Sequence, residues 1–110
     1  MTEFYVNLEP YDVVSHIDKT MQGKISGQQI DRYITGDGEN TVAVLVYEQY
    51  YQRVQNRLTL TAIVDKVGGK THVRLVSSGG GTNVFFKFDR GASGSLENSV
   101  ERALSPYKIN

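Results

Sequence analysis

The chain has 110 residues, with twelve basic and twelve acidic side chains and no cysteine. That length fits one domain, residues 1–110, with a core large enough to stand without covalent staples. The charge balance argues against recognition of nucleic acid by bulk electrostatics, and the missing cysteines exclude disulfides and thiolate metal sites.

Phe4, Val6 and Leu8 alternate with Glu3, Tyr5 and Asn7, the pattern of a half-buried strand. The segment lacks the basic start and long apolar stretch of a signal peptide. No apolar run approaches the ~20 residues of a membrane span, so a soluble cytoplasmic protein is the expectation. Pro10 then suits the first turn of a helix, where its missing N–H is not needed. Val13, Ile17 and Met21 follow at i, i+4 and i+8, and Gly23 supplies a stop, so a helix is predicted over 10–22.

Residues 24–35 are more polar; Ile25, Ile30, Tyr33 and Ile34 suggest an edge or half-exposed strand that closes in the turn cluster 36–40. The next segment, 41–51, is apolar on both faces through Tyr47, which predicts a central strand covered on two sides. Tyr47, Tyr50, Tyr51 and Val54 also sit at helical spacing, but β-branched and aromatic enrichment favours the strand. Gly68-Gly69 reads as a two-residue hairpin turn with positive φ at both positions. The register that follows sets Val67 against Lys70, Asp65 against His72, Val64 against Val73 and Ala62 against Leu75. Leu58, Leu60, Ala62, Val64, Val73 and Leu75 then share the core face, while Thr59, Thr61, Ile63, Asp65, His72 and Arg74 share the other.

Ser77–Asn83 turns the chain into a last strand with Val84, Phe86 and Phe88 inward. Ser95 is a suitable N-cap for a final helix, whose stripe is Leu96, Val100, Ala103, Leu104 and Tyr107. The elements run β-α-β-β-β-β-β-α: an α+β fold, with an antiparallel sheet and two helices on one face, loosely helix-grip-like.

Tyr50-Tyr51, Arg53, Asn56-Arg57, Leu60-Thr61, Ser78–Gly81, Phe85–Asp89 and Gly91-Ala92 resemble a small bacterial α+β domain family of unknown function. The resemblance covers the C-terminal two-thirds. It implies a compact domain and a bacterial cytoplasmic source, and brings no substrate or catalytic residue.

Few residues invite chemistry. Asp65 and His72, opposite each other on the hairpin, pair a carboxylate with an imidazole, the arrangement that orients a general base. An exposed cross-strand ion pair is the ordinary explanation. Arg90, Ser93 and Ser95 lead into a helix N-terminus and are candidates for binding an anion, against simple capping. Ser77–Thr82 lacks the phosphate-loop lysine and precedes a strand, so it reads as a turn. Tyr47, Tyr50, Tyr51, Arg53 and Arg57 interleave aromatics with cations, as base-stacking platforms and protein interfaces do; zero net charge favours neither nucleic acid nor another polyanion. His16 and His72 are the only histidines, too few for a transition-metal site without carboxylates. Neither a catalytic site nor a cofactor is indicated.

Three functions are compatible with these residues. The first is a non-catalytic interaction module that self-associates through the outer sheet face, where Ile63 and Val76 project, giving a homo-oligomer. The second is a binder of a small apolar ligand, with Phe86, Phe88, Leu104 and Tyr107 lining a pocket between sheet and final helix. The third, an enzyme built on Asp65 and His72, lacks a nucleophile and oxyanion donors.

Overall fold

The computed structural model describes residues 1–24, 27–51, 56–79 and 96–109. Its strands are β1 (Thr2–Val6), β2 (Gly27–Thr35), β3 (Val42–Tyr51), β4 (Asn56–Asp65), β5 (Thr71–Gly79) and β6 (Lys108–Ile109). They form one sheet in the order β2-β3-β4-β5-β1-β6, and every neighbouring pair is antiparallel. Helix α1 (Pro10–Gln22) follows β1, and residues 96–104 form α2. The architecture is α+β, an antiparallel sheet with two helices. The strand expected around 84–88 lies outside the described residues.

The hairpin register agrees with the sequence pattern: Asp65 opposes His72, Val64 opposes Val73 and Ala62 opposes Leu75. The turn itself differs. The Lys66 carbonyl accepts the Gly69 N–H at 2.9 Å, so Val67 and Gly68 are the central pair. Of the two glycines only Gly69 has positive φ, at 88°. A side chain at position 68 therefore meets no left-handed penalty, whereas one at 69 does.

Alternation then sorts the side chains. Leu58, Leu60, Ala62, Val64, Val73 and Leu75 are all fully buried, together with Ala43 and Leu45 of β3. Val13, Val14, Ile17 and Met21 from α1, and Leu96, Val100 and Leu104 from α2, close the same apolar cluster. Both helices thus lie on one face of the sheet, which buries an apolar stripe that neither helix nor sheet can hide alone. Pro10 opens α1, and the carbonyl of Glu9 accepts the Asp12 and Val13 N–H groups. Gly23 caps the end in an ordinary right-handed conformation.

The carboxylate of Glu97, on α2, anchors that helix to the sheet. It accepts hydrogen bonds from Thr2 Oγ1 at 2.5 Å and from Ser77 Oγ, across positions that face the core. Burial alone pushes this carboxyl up, but the two hydroxyls and the chain's amino group bring it net below its ordinary value. The final helix is shorter than its apolar spacing predicts. It stops at residue 104, and Ser105–Tyr107 form a 3₁₀ turn. Pro106 explains this, because it has no N–H to donate to a carbonyl of the preceding turn and disfavours the α conformation at Ser105. The chain straightens into β6, which pairs with β1.

The turn before β3 has one position that admits only glycine. Gly36 has φ of 77°, and a Cβ there would lie 2.0 Å from the carbonyl oxygen of Asn40. On the far side of the sheet no described helix or loop covers β3. Val42, Val44 and Val46 are half-buried there, instead of being sealed by a second layer as the two-sided apolar pattern implied.

Truncation at the shared face should show the sidedness. Leu60→Ala is expected to cost ~2–5 kcal/mol, and Thr61→Ala, one residue on, less than about 1 kcal/mol, both read by denaturant unfolding. Glu97 adds a pH dependence. Because its folded-state pKa is depressed, its stabilisation is present above the unfolded value near ~4.3 and is lost as pH falls through the folded one. Glu97→Gln should flatten that acid limb in unfolding curves recorded from neutral pH downwards.

Candidate functional site

The sequence-derived candidates fall in three places. Asp65 and His72 do meet: His72 Nδ1 lies 3.2 Å from Asp65 Oδ2. A third residue joins them, since His72 Nε2 is 3.1 Å from Glu3 Oε2, and the ring sits 5.1 Å from that of Tyr5. Both imidazole nitrogens are therefore engaged by carboxylates, which leaves neither directed at a substrate. Arg90, Ser93, Ser95, Phe86 and Phe88 lie outside the described residues. Leu104 is fully buried in the core, and Tyr107 is half-buried against it, its ring 5.1 Å from that of His16.

The His72 cluster belongs to the sheet's outer face, whose rows follow from the strand registers. One row runs Tyr33, Val44, Ile63, Arg74, Glu3, and the next Asp31, Val46, Thr61, Val76. Tyr5, Tyr33, Tyr50 and Val76 are exposed large side chains here. Valines and Ile63 form the middle, and charged groups of both signs stand around them.

A second locus lies on the other side, at the end of α1. A cleft of about 380 Å³ is lined by Asp18, Met21, Gln22, Gly27, Gln28, Gln29, Arg32 and Tyr47. Tyr47 ends the inward series Ala43, Leu45, Tyr47 on β3 and is 3% exposed. A buried tyrosine hydroxyl must find a partner, and here it donates to Asp18 Oδ1. Gln29 Nε2 donates to the same carboxylate oxygen and to the Tyr47 hydroxyl, both at 3.3 Å. Arg32 NH1 donates to Asp18 Oδ2 at 2.8 Å. One carboxylate on a helix thus gathers two side chains from the edge strand and one from its neighbour.

Simple alternation puts Gln29 and Arg32 on opposite faces of β2. The strand avoids this with a β-bulge: Gln29 pairs with Tyr47, but Asp31 pairs with Val46, so Ile30 is an extra residue. The bulge resets the phase and turns both Gln29 and Arg32 towards α1. No two-residue periodicity reveals such a slip. The available signals were the inward tyrosine, which needed a partner, and Asp18 beside the apolar stripe of α1.

A model for a family of unknown function (DUF6054) matches residues 1–108. The chain belongs to the DUF6054 family. No curated protein and no solved structure matches it, so the chemistry of this DUF6054 chain is argued from its own side chains. Among the described residues, no group of three histidine or acidic side chains is placed to hold a metal ion, and no helix is long and apolar enough to cross a membrane.

The electrostatics of the cleft follow from its packing. Burial raises the Tyr47 phenol, and the hydrogen bond to Asp18 with that carboxylate's charge raises it further, outweighing the opposite influence of Gln29 and Arg32. The hydrogen bond to Asp18 likewise raises Arg32. For a group whose folded-state pKa is raised, stabilisation is complete below the unfolded value, ~10 for tyrosine, and is lost as pH climbs towards the folded one. Wild-type stability should therefore decline above about pH 10, and Tyr47→Phe should remove that component. Asp18→Asn should bring the Tyr47 phenol down, read as an earlier phenolate absorbance in a spectrophotometric titration.

Proposed function

We propose that the domain is a non-catalytic interaction module that pairs with a second copy of itself through the outer face of its sheet. The observation that carries this is the apolar middle of that face, Val44, Val46, Ile63 and Val76, which no described element covers. Single exposed apolar residues are ordinary, but a contiguous set ringed by polar groups marks a contact surface. The face has the anatomy of an interface, with aromatic and aliphatic residues inside and charges at the rim.

Area and charge favour a second copy as the occupant. Long strands rising ~3.3 Å per residue and spaced ~4.8 Å apart give a face on the order of 700 Å², close to the ~800 Å² per partner of a standard interface. The rim carries Glu3 and Asp31 as well as Arg74 and Arg57, so a two-fold axis can set acids against bases without a net repulsion. Zero net charge removes the long-range repulsion that keeps copies apart. The engagement of both His72 nitrogens by Glu3 and Asp65 supports a structural part for that cluster rather than catalysis. A bacterial cytoplasmic setting belongs to this proposal and rests on the sequence resemblance.

Sedimentation velocity over a micromolar series tests it. The wild-type chain should sediment as a dimer, and Ile63→Lys, at the centre of the face, should give a monomer with an unchanged circular dichroism spectrum. A wild-type chain that stays monomeric across the series would overturn the proposal.

A further inference from the structure

We infer that the cleft between α1 and β2 is a binding site for a small carboxylate-bearing molecule that also carries amide or hydroxyl groups. It lies on the helix-covered side of the sheet, so it is independent of self-association through the outer face.

The lining decides the class of ligand. Among the described residues, Met21 is its only aliphatic side chain; the others are Asp18, three glutamines, Arg32, Tyr47 and Gly27. An apolar molecule would strand these polar groups, so the occupant must be polar. At about 380 Å³ the cleft sits near the lower end of small-molecule sites, which fits a metabolite rather than a nucleotide.

The hydrogen-bond inventory then divides the lining into support and contact. Asp18 accepts from Tyr47, Gln29 and Arg32, so its charge is offset and most of its lone pairs are occupied. Tyr47 is buried and spent on Asp18. These two fix the positions of the other groups and leave little capacity of their own. Arg32 commits NH1 to Asp18, and its side chain stays 43% exposed. A guanidinium has five N–H donors, and its remaining edge suits the two oxygens of a carboxylate. Gln22 adds an amide that both donates and accepts, the complement of an amide or hydroxyl group.

Preorganisation is the second strand of support. Arg32 and Gln29 stand on an edge strand, where long polar side chains ordinarily wave in water. Here a bulge turns both inward and a helix carboxylate holds them. A site whose contact groups are locked by a supporting layer pays less ordering entropy when it binds. The Asp18–Arg32 pair is neutral overall, which disfavours a compact dianion such as phosphate and favours a single carboxylate with hydrogen-bonding neighbours.

The test is a nitrogen-15 NMR titration of the full chain with a panel of small monocarboxylates: L-glutamine, L-lactate and D-gluconate. L-glutaminamide, which lacks the carboxylate, and inorganic phosphate serve as comparators. At least one carboxylate should give saturable shifts centred on the backbone amides of residues 27–32 and the side-chain amide of Gln22. Arg32→Gln should weaken that binding by about tenfold or more, the loss of one charge-assisted contact. Gln22→Ala, which leaves Asp18, Arg32 and Tyr47 in place, should weaken it several-fold with thermal stability unchanged. The inference is overturned if no carboxylate gives saturable shifts there, if L-glutaminamide or phosphate binds as well as the best carboxylate, or if both variants bind like the wild type.

Discussion

Everything in this fold depends on the phase of the β4–β5 ribbon. With Val64 opposite Val73 and Ala62 opposite Leu75, every second side chain of two long strands enters one apolar layer, and the intervening ones leave it. A slip of one residue would send Leu58, Leu60 and Val64 into water and bring Thr59, Thr61 and Asp65 inside. The free-energy gap between those arrangements amounts to several buried aliphatic side chains at roughly 1.5–3 kcal/mol each, so the register is held far more firmly than any surface ion pair holds its partners. Helices α1 and α2 then have a single apolar surface on which to pack. The other surface is left for a different use.

The two faces do different physical work. On the helix side, close packing fills the space between Ile17, Leu45, Leu60 and Leu104, and a cleft opens at the margin, where α1 meets β2. There a buried tyrosine, a carboxylate, an amide and a guanidinium satisfy one another. On the outer side, valines and Ile63 are half-covered by their neighbours along the pleat, and charged residues from β1, β2 and β5 surround them. Burial on one side makes the domain stable enough to leave apolar residues unused on the other.

Much of the architecture was legible in the sequence because it rests on short-range periodicity. The strand at Phe4 and Val6, the helix from Pro10, the exposed character of β2 and the core face of the hairpin each follow from apolar spacing and a turn residue. The misses have local causes that spacing does not record. The hairpin's central pair moved by one residue because a single left-handed glycine suffices. The last helix ended early because Pro106 outranks the apolar stripe that reaches Tyr107. The tertiary cleft was invisible for a different reason: Asp18, Arg32 and Tyr47 lie far apart in sequence, and the bulge at Ile30 reverses the alternation that a reader would apply. Arg90, Ser93, Ser95, Phe86 and Phe88, read as candidates from loop and strand patterns, fall outside the described residues.

The bulge carries one more implication. No residue of β2 is fully buried, and only Ile34 touches the core from that strand, so the apolar layer does little to choose where this strand sits along β3. Its alignment rests on the backbone ladder to β3 and the tight turn at Gly36, and the grip of Asp18 on Gln29 and Arg32 adds a side-chain latch to them. The helix carboxylate thus fastens the bulged half of the strand, the end farthest from that turn.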